Sequence, residues 1–461
     1  MNRLLVVAAL PWAAAGAQDV RIEHVTVISA ERAQPVRDTT VSIHEGRIAG
    51  TAAGTVIDGH GLFLVPGLID SHVHLGEIPG MTDEQEAAHP DIARVARDQI
   101  PRSYLYSGFT TLIDLNSGPA PMARWKNHQT VPDTYWCGGA VLRDGYPMNF
   151  TPKPARYSLF PYMITDDTTS AIAAVAHMKR DGATCVKAFI ERGFADDKNL
   201  PIPSLETLRA LVRAAHAAGM PVLMHANGAW AQSVALDAGA DIIAHGMWHW
   251  EPSMDTVLSA REQGILDRVV STGTGYQPTI QVLYGESELF HPSFLTDAKL
   301  ARVLPASLIA WYGTKEGQWF HDVLAEGGPQ TQRQADSAWA PWFTRVNRAT
   351  GYLVQHHARL LLGTDTPSAP TYGNPPGLNG WLEMRNLAEV GMTPAEIFRA
   401  ATIENARALR LDKDVGTVEI GKRANLLLLR EDPTQTIDAY QTIVKIVLGG
   451  RVLDPSELAA Q

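Results

Sequence analysis

The sequence predicts an α/β protein: a (β/α)8 barrel of the TIM type carrying a small β-sandwich domain assembled from both chain ends. Three observations predict it. Apolar, strand-like runs alternate with helical periodicity through the middle of the chain. Short β-like runs broken by polar turns occupy both ends, and neither end is long enough to bury a core by itself. Single His, Lys and Asp residues lie in or at the end of the central apolar runs, the position that reads as catalytic in a closed barrel.

Taken in order, the chain starts with Asn2-Arg3, an apolar stretch from Leu4 to Leu10, and the small-x-small triplet Ala15-Gly16-Ala17. That is the pattern of a secretory leader over residues 1–17, too short to span a bilayer, and it predicts export to a periplasmic or extracellular space. No cysteine follows it, so no lipid or membrane anchor is expected after cleavage. Residues 18–65 and 410–461 are the two halves of the expected β-sandwich. Residues 66–409 are the expected barrel, with an insertion around 284–355.

Within the barrel the expected strands are Leu68–His74, Thr110–Leu115, Thr134–Val141, Thr184–Ile190, Pro221–His225, Asp241–His245, Gln277–Val282 and Leu360–Asp365. Helical patterns at Leu205–Ala218 and Trp230–Ala238 end at Gly219 and Gly239, the usual stop. Two connections exceed ordinary barrel turns. Arg143 to Asp166 carries Tyr146, Met148, Phe150, Tyr157, Phe160 and Tyr162, and Tyr284 to about Gln355 carries Trp311, Trp319, Trp339 and Trp342. Long excursions of this kind are functional or hold helices of their own.

Bulk properties bound the function. The chain has 461 residues, 45% hydrophobic and 19% charged, with a formal charge of -10 and no basic cluster, so nothing points to nucleic acid. The two cysteines, Cys137 and Cys185, exclude a disulfide-stapled architecture. Export permits one bridge between them, but buried free thiols are the expected state.

His72 and His74 lie two apart at the end of an apolar run, so on a strand both rings face one way and can share a metal ion. Lys187, His225, His245 and Asp365 each occupy the interior or end of a later apolar run. Singly, each has an ordinary structural account: a hydrogen-bonded core histidine, a turn-forming aspartate, a lysine reaching solvent. Together, on strands whose ends converge at one rim, they read as a metal centre. Asp70 shares a strand face with His72, as an orienting carboxylate or as a turn residue.

These motifs resemble the amidohydrolase superfamily over nearly the whole chain after the leader, and in particular its secreted, imidazolonepropionase-related branch with prolidase-like dipeptidases. Pro66-Gly67-Leu68-Ile69-Asp70-Ser71-His72-Val73-His74 is similar to the family's first-strand motif. His225-Ala226-Asn227-Gly228, Ala244-His245-Gly246 and Gly363-Thr364-Asp365 are similar to its later metal strands. Gly421-Lys422-Arg423-Ala424-Asn425-Leu426 is similar to its closing β motif, with Asn425 where the family usually has Asp.

The resemblance implies two divalent ions, with Zn2+ the default. His72, His74 and Asp365 would hold one, His225 and His245 the other, and a carbamate formed from Lys187 and CO2 or bicarbonate would join them with a hydroxide. Imidazolonepropionase lacks such a lysine, so Lys187 moves the expectation to the binuclear branch. Asp365 would pass a proton from the attacking hydroxide to the leaving group. The expected reaction is hydrolysis of C–N bonds in a small N-acyl amino acid or dipeptide. An esterase, lactonase or carbamate hydrolase on the same centre is the alternative, and an inactive binding protein is the third. Arg143, Tyr146, Arg192, Asn227 and His249 are the candidate substrate contacts, with the two arginines placed to fork onto a carboxylate. A homo-oligomer is compatible with everything above.

Overall fold

Parallel strands that follow one another around a ring form the centre of the computed structural model, which describes residues 19–150, 164–193, 199–250, 255–368 and 370–461. The expected leader and the loop aromatics Tyr157, Phe160 and Tyr162 lie outside these residues. The N-terminal segment gives Val20–Val27 (β1), Val36–His44 (β2), Arg47–Ala49 (β3), Thr55–Asp58 (β4) and Phe63–Pro66 (β5). The ring then follows: Leu68–Val73 (β6), Phe109–Leu115 (β7), Asp133–Ala140 (β8), Cys185–Phe189 (β9), Val222–His225 (β10), Ile242–Ala244 (β11) and Gly275–Gln277 (β12). These pair in chain order as a seven-stranded sheet. Most of their residues are buried on both faces, as expected where helices cover a parallel sheet.

The ring is closed by the stretch expected to be its eighth strand. It bridges β12 through Tyr276 and Leu360, and β6 through Val73 and Thr366. Backbone hydrogen bonds run from Ser71 N to Leu362 O (3.2 Å) and from Asp365 N to His72 O (2.7 Å). Yet Leu360–Asp365 is an irregular stave rather than a strand. A Cβ at Gly363 would lie 2.8 Å from His72 Cβ, and Asp365 turns to φ 58°. A side chain at 363 would push the stave off β6, so only glycine allows the approach.

The expected strand Gln277–Val282 is also corrected. β12 ends at Gln277, and Gln281–Ser287 is a helix. Pro278 cannot donate to a ladder, Thr279 adopts φ 44°, and the buried Glu383 carboxylate accepts from Ile280 N (3.0 Å) and Gln281 N (2.7 Å). The insertion after it is helical and ends in the 24-residue helix Gln332–Gln355. The two expected crossover helices form as Leu205–Ala217 and Ala229–Ala238, the latter stopped by Gly239 at φ 89°.

The cysteines are not free thiols. β8 and β9 pair with Cys137 opposite Cys185, their Cα atoms are 4.3 Å apart, and the sulfurs are bonded. The reason is register: residues far apart in sequence become direct neighbours across two adjacent staves.

Leu426–Leu429 (β13), Ile443–Leu448 (β14) and Arg451–Leu453 (β15) return to the first segment. The sheet runs β15-β14-β13-β5-β1-β2-β3, with β4 also on β1. Ile22, Val25, Ile43, Leu64, Leu426, Leu428 and Val447 form its core, so each chain end does supply half of one hydrophobic interior. Asn425 explains its own departure from the family pattern. Its Nδ2 donates to Asp133 Oδ2 (2.8 Å), and its Oδ1 accepts from Gly449 N (2.9 Å). A carboxylate there would have no proton to offer Asp133. Among the described residues no helix is long and apolar enough to cross a membrane.

Candidate metal centre

The C-terminal ends of β6, β9, β10 and β11 meet the closing stave at one rim of the barrel, and each brings a polar side chain. His72 and His74 leave β6 on the same side, as strand alternation requires. Their Nε2 atoms lie 2.8 and 2.9 Å from a single oxygen, Asp365 Oδ1. His245 Nδ1 is 3.8 Å from the other oxygen, Oδ2. Lys187, 1% exposed, places Nζ 3.3 Å from His72 Nε2. His225 completes the group, with its ring centroid 4.3 Å from that of His245. All the expected metal-site residues are therefore together. His245 (φ 82°) and Asp365 (φ 58°) both leave the extended region, a local cost of the kind that concentrates at functional sites.

Electrostatics suit this group to a cation. Burial, aided by the Lys187 charge, pushes the His72 imidazole down to about 3, and burial lowers His225 and His245 as well. Burial also lowers the Lys187 amine to about 7, against the pull of Asp365. Asp365 is held well below the usual carboxylate range: burial pushes it up, and the imidazoles around it outweigh that. Burial lowers His74 too, but its hydrogen bond to Asp365 raises it overall; the neutral nitrogens of His72, His225 and His245 beside an ionised carboxylate suit a divalent transition metal. His72, His74 and Asp365 offer ligand atoms that all lie within 4.8 Å of one another. His72 Nδ1 and His225 Nε2, the ring nitrogens that do not enter this donor set, are buried without a hydrogen bond. The residues fit a metal.

The surroundings hold the group in place. Asp70 accepts from His72 N (3.2 Å), Thr364 N (3.1 Å) and Thr364 Oγ1 (2.6 Å), so it ties β6 to the closing stave through backbone and hydroxyl. His245 Nδ1 is 3.1 Å from Thr279 Oγ1. Glu191, just beyond β9, places Oε2 3.5 Å from His225 Nε2. Thr279 and Glu191 were invisible to sequence reading, because both lie in turns after strands and carry no motif.

The candidate substrate contacts divide. The Tyr146 ring lies 4.9 Å from that of His225 and covers it. Asn227 is buried, and its carbonyl accepts from Trp248 N and His249 N while Nδ2 has no partner. The His249 ring stands edge-on to Trp342 of the insertion at 4.5 Å. Arg143 is exposed, with Nε 3.7 Å from Asp166 Oδ2, and the Arg192 guanidinium lies 5.2 Å from the Trp230 ring centroid.

Residues 63–257 and 348–453 match the amidohydrolase family. The chain belongs to that family. An uncharacterised protein of Mycobacterium tuberculosis is 29% identical over 210 residues, which is 44% of this chain and 50% of that protein. The chain thus spans about half the length of this curated relative. The imidazolonepropionase of Brevibacillus brevis is 44% identical over 91 residues, 19% of this chain and 20% of that enzyme. A crystal structure of a Xaa-Pro dipeptidase with methionine bound in its active site superposes with a TM-score of 0.66 at 21% identity, covering 95% of this chain and 100% of that one.

Proposed function

We propose that this protein is a metal-dependent hydrolase that cleaves the C–N bond of a small amide, an N-acyl amino acid or a dipeptide. The observation that carries the reading is the convergence of His72, His74 and Asp365 on one oxygen, with Lys187 and His245 beside them. The family match and the dipeptidase likeness support it.

In this reading His72, His74 and Asp365 would hold one ion, and His225 and His245 would hold a second. The neutral amine of Lys187 could add to CO2 with loss of a proton, and as a carbamate this residue would supply a carboxylate-like ligand beside His72. Zinc is the proposed metal. When bound, such ions bring the pKa of water from about 15.7 toward ~7 and polarise the scissile carbonyl. Asp365 takes the proton from the attacking water and delivers it to the leaving nitrogen. Tyr146 covers the His225 ring, His249 packs against Trp342 of the insertion, and Asn227 Nδ2 offers a buried donor to the substrate. We also propose export of the protein, on the strength of the leader pattern and of the Cys137–Cys185 bond, which belongs to an oxidising compartment.

The test is a panel of dipeptides, N-acyl amino acids, lactones and esters, assayed with and without Zn2+ and bicarbonate. Cleavage of the amides, abolished by a chelator and restored by metal, is expected. Turnover confined to lactones or esters would move the protein to the other reaction class, and a purified protein that binds no divalent ion would end the proposal.

A further inference from the structure

Glu191 is a buried carboxylate with no lysine or arginine partner among the described residues. A buried anion in that state is expensive unless a cation compensates it. Its position is set by the fold. β9 and β10 pair with Phe189 opposite His225, and Ile190 N donates to His225 O (2.9 Å). Lys187, Phe189 and Glu191 succeed one another at two-residue intervals, so the alternation that points Lys187 into the site continues toward Glu191 at the rim. The carboxylate is fixed at its other end, where Oε1 accepts from Gly193 N (2.8 Å). Oε2 is left facing His225 Nε2 at 3.5 Å.

The His225 ring has little freedom to turn away. It is flanked by His245 at 4.3 Å, Tyr146 at 4.9 Å and Phe189 at 6.0 Å between centroids. Its Nε2 is buried and makes no hydrogen bond at this distance. A small inward movement of either group would convert the 3.5 Å contact into one. We infer that Glu191 is a positioning residue for the second metal: it accepts a hydrogen bond from the Nε2–H of His225, fixes the tautomer, and leaves Nδ1 to face the ion. The inference rests on the proposed metal reading and deepens it. It also accounts for the buried anion, because an imidazole bound to a divalent cation supplies the missing positive charge. Carboxylates that support a ligating histidine in this way are worth about 10- to 100-fold in metal affinity.

The experiment is metal titration of the full chain followed by dialysis and elemental analysis, on wild type, Glu191→Gln and Glu191→Ala. Two equivalents are expected in wild type. Glu191→Ala should weaken the second by about 10- to 100-fold and leave the first unchanged. Glu191→Gln retains an acceptor oxygen and should recover part of the loss. In the nitrogen NMR spectrum, His225 should hold its proton on Nε2 in wild type and lose that preference in Glu191→Ala. Two equivalents bound by Glu191→Ala with wild-type affinity would overturn the inference and leave the metal reading standing. So would a defect confined to a raised KM for substrates with a free ammonium, which would make Glu191 a substrate contact. A wild type that takes up no metal would overturn both.

Discussion

Lys187 Nζ sits 3.3 Å from His72 Nε2, in a pocket where an ordinary ammonium would repel any cation brought to the same imidazoles. Burial lowers the amine to about 7, so a large share of it is neutral and nucleophilic near neutral pH. That makes the carbamate accessible and gives a test at single-residue scale. Lys187→Ala should fold, because it only empties space among the imidazoles, and should lose about 100-fold or more in kcat/KM, the upper end of the cost of a supporting metal-site group. Acetate or propionate can occupy the vacated volume and present a carboxylate where the proposed carbamate would stand. Either should restore part of the activity in a concentration-dependent way. Full activity in Lys187→Ala, or no response to small carboxylates, would count against a bridging carbamate. His72, His74, Lys187, His225, His245 and Asp365 were legible in the sequence because a polar residue inside an apolar strand stands out from its neighbours. Glu191 and Thr279 were not. Each matters only through the histidine beside it, and that adjacency depends on strand register and turn geometry.

At the scale of elements, the turn after β12 shows where pattern reading failed and what the chain does instead. Ile280-Gln281-Val282-Leu283 has a strand-like composition, but Glu383, fully buried on the helix Leu378–Glu389, accepts from Ile280 N and Gln281 N at the start of Gln281–Ser287 and satisfies them. The same turn positions Thr279 against His245 Nδ1, so the error fell on an element that serves the site. Such a cap comes from residues about a hundred positions away and leaves no local trace. Burial raises Glu383 from its ordinary 4.5 to about 8, which overcomes the N–H groups that favour its charge. The stability it contributes is therefore full below about 4.5 and lost as pH rises through about 8, because the unfolded chain releases that proton first. Glu383→Gln cannot ionise. Its unfolding midpoint should start lower, since an amide N–H₂ can face the helix donors, but should fall less than that of wild type between about pH 4.5 and about 8. Parallel pH profiles for the two proteins would show that Glu383 does not titrate on unfolding.

On the scale of the whole molecule, two kinds of closure hold the chain together: the stave at 360–366 that completes the ring, and the paired chain ends that complete the smaller sheet. The sheet was foreseeable because each end is too short to bury its own apolar residues. The Cys137–Cys185 link was not, since it follows from which strands lie side by side. It sits among Ile113, Leu115, Leu223 and Leu361, with both cysteines fully buried, and Cys185 is two residues before Lys187 on the strand that feeds the metal centre. A chain-entropy account of a loop with a sequence separation of 48 assigns the bond about 4 kcal/mol. Full burial keeps reductant out unless the barrel opens. If the proposed leader exports the protein, the exported protein should show no free thiol after denaturation, and should keep the bond in native buffer containing dithiothreitol. The same chain made without the leader in a reducing cytosol should carry two titratable thiols and unfold at a lower urea concentration, by an amount equivalent to about 4 kcal/mol at equal m-value. Equal urea midpoints for the two preparations would mean that packing alone fixes β8 against β9. Free thiols in the exported protein would remove the disulfide as an argument for export.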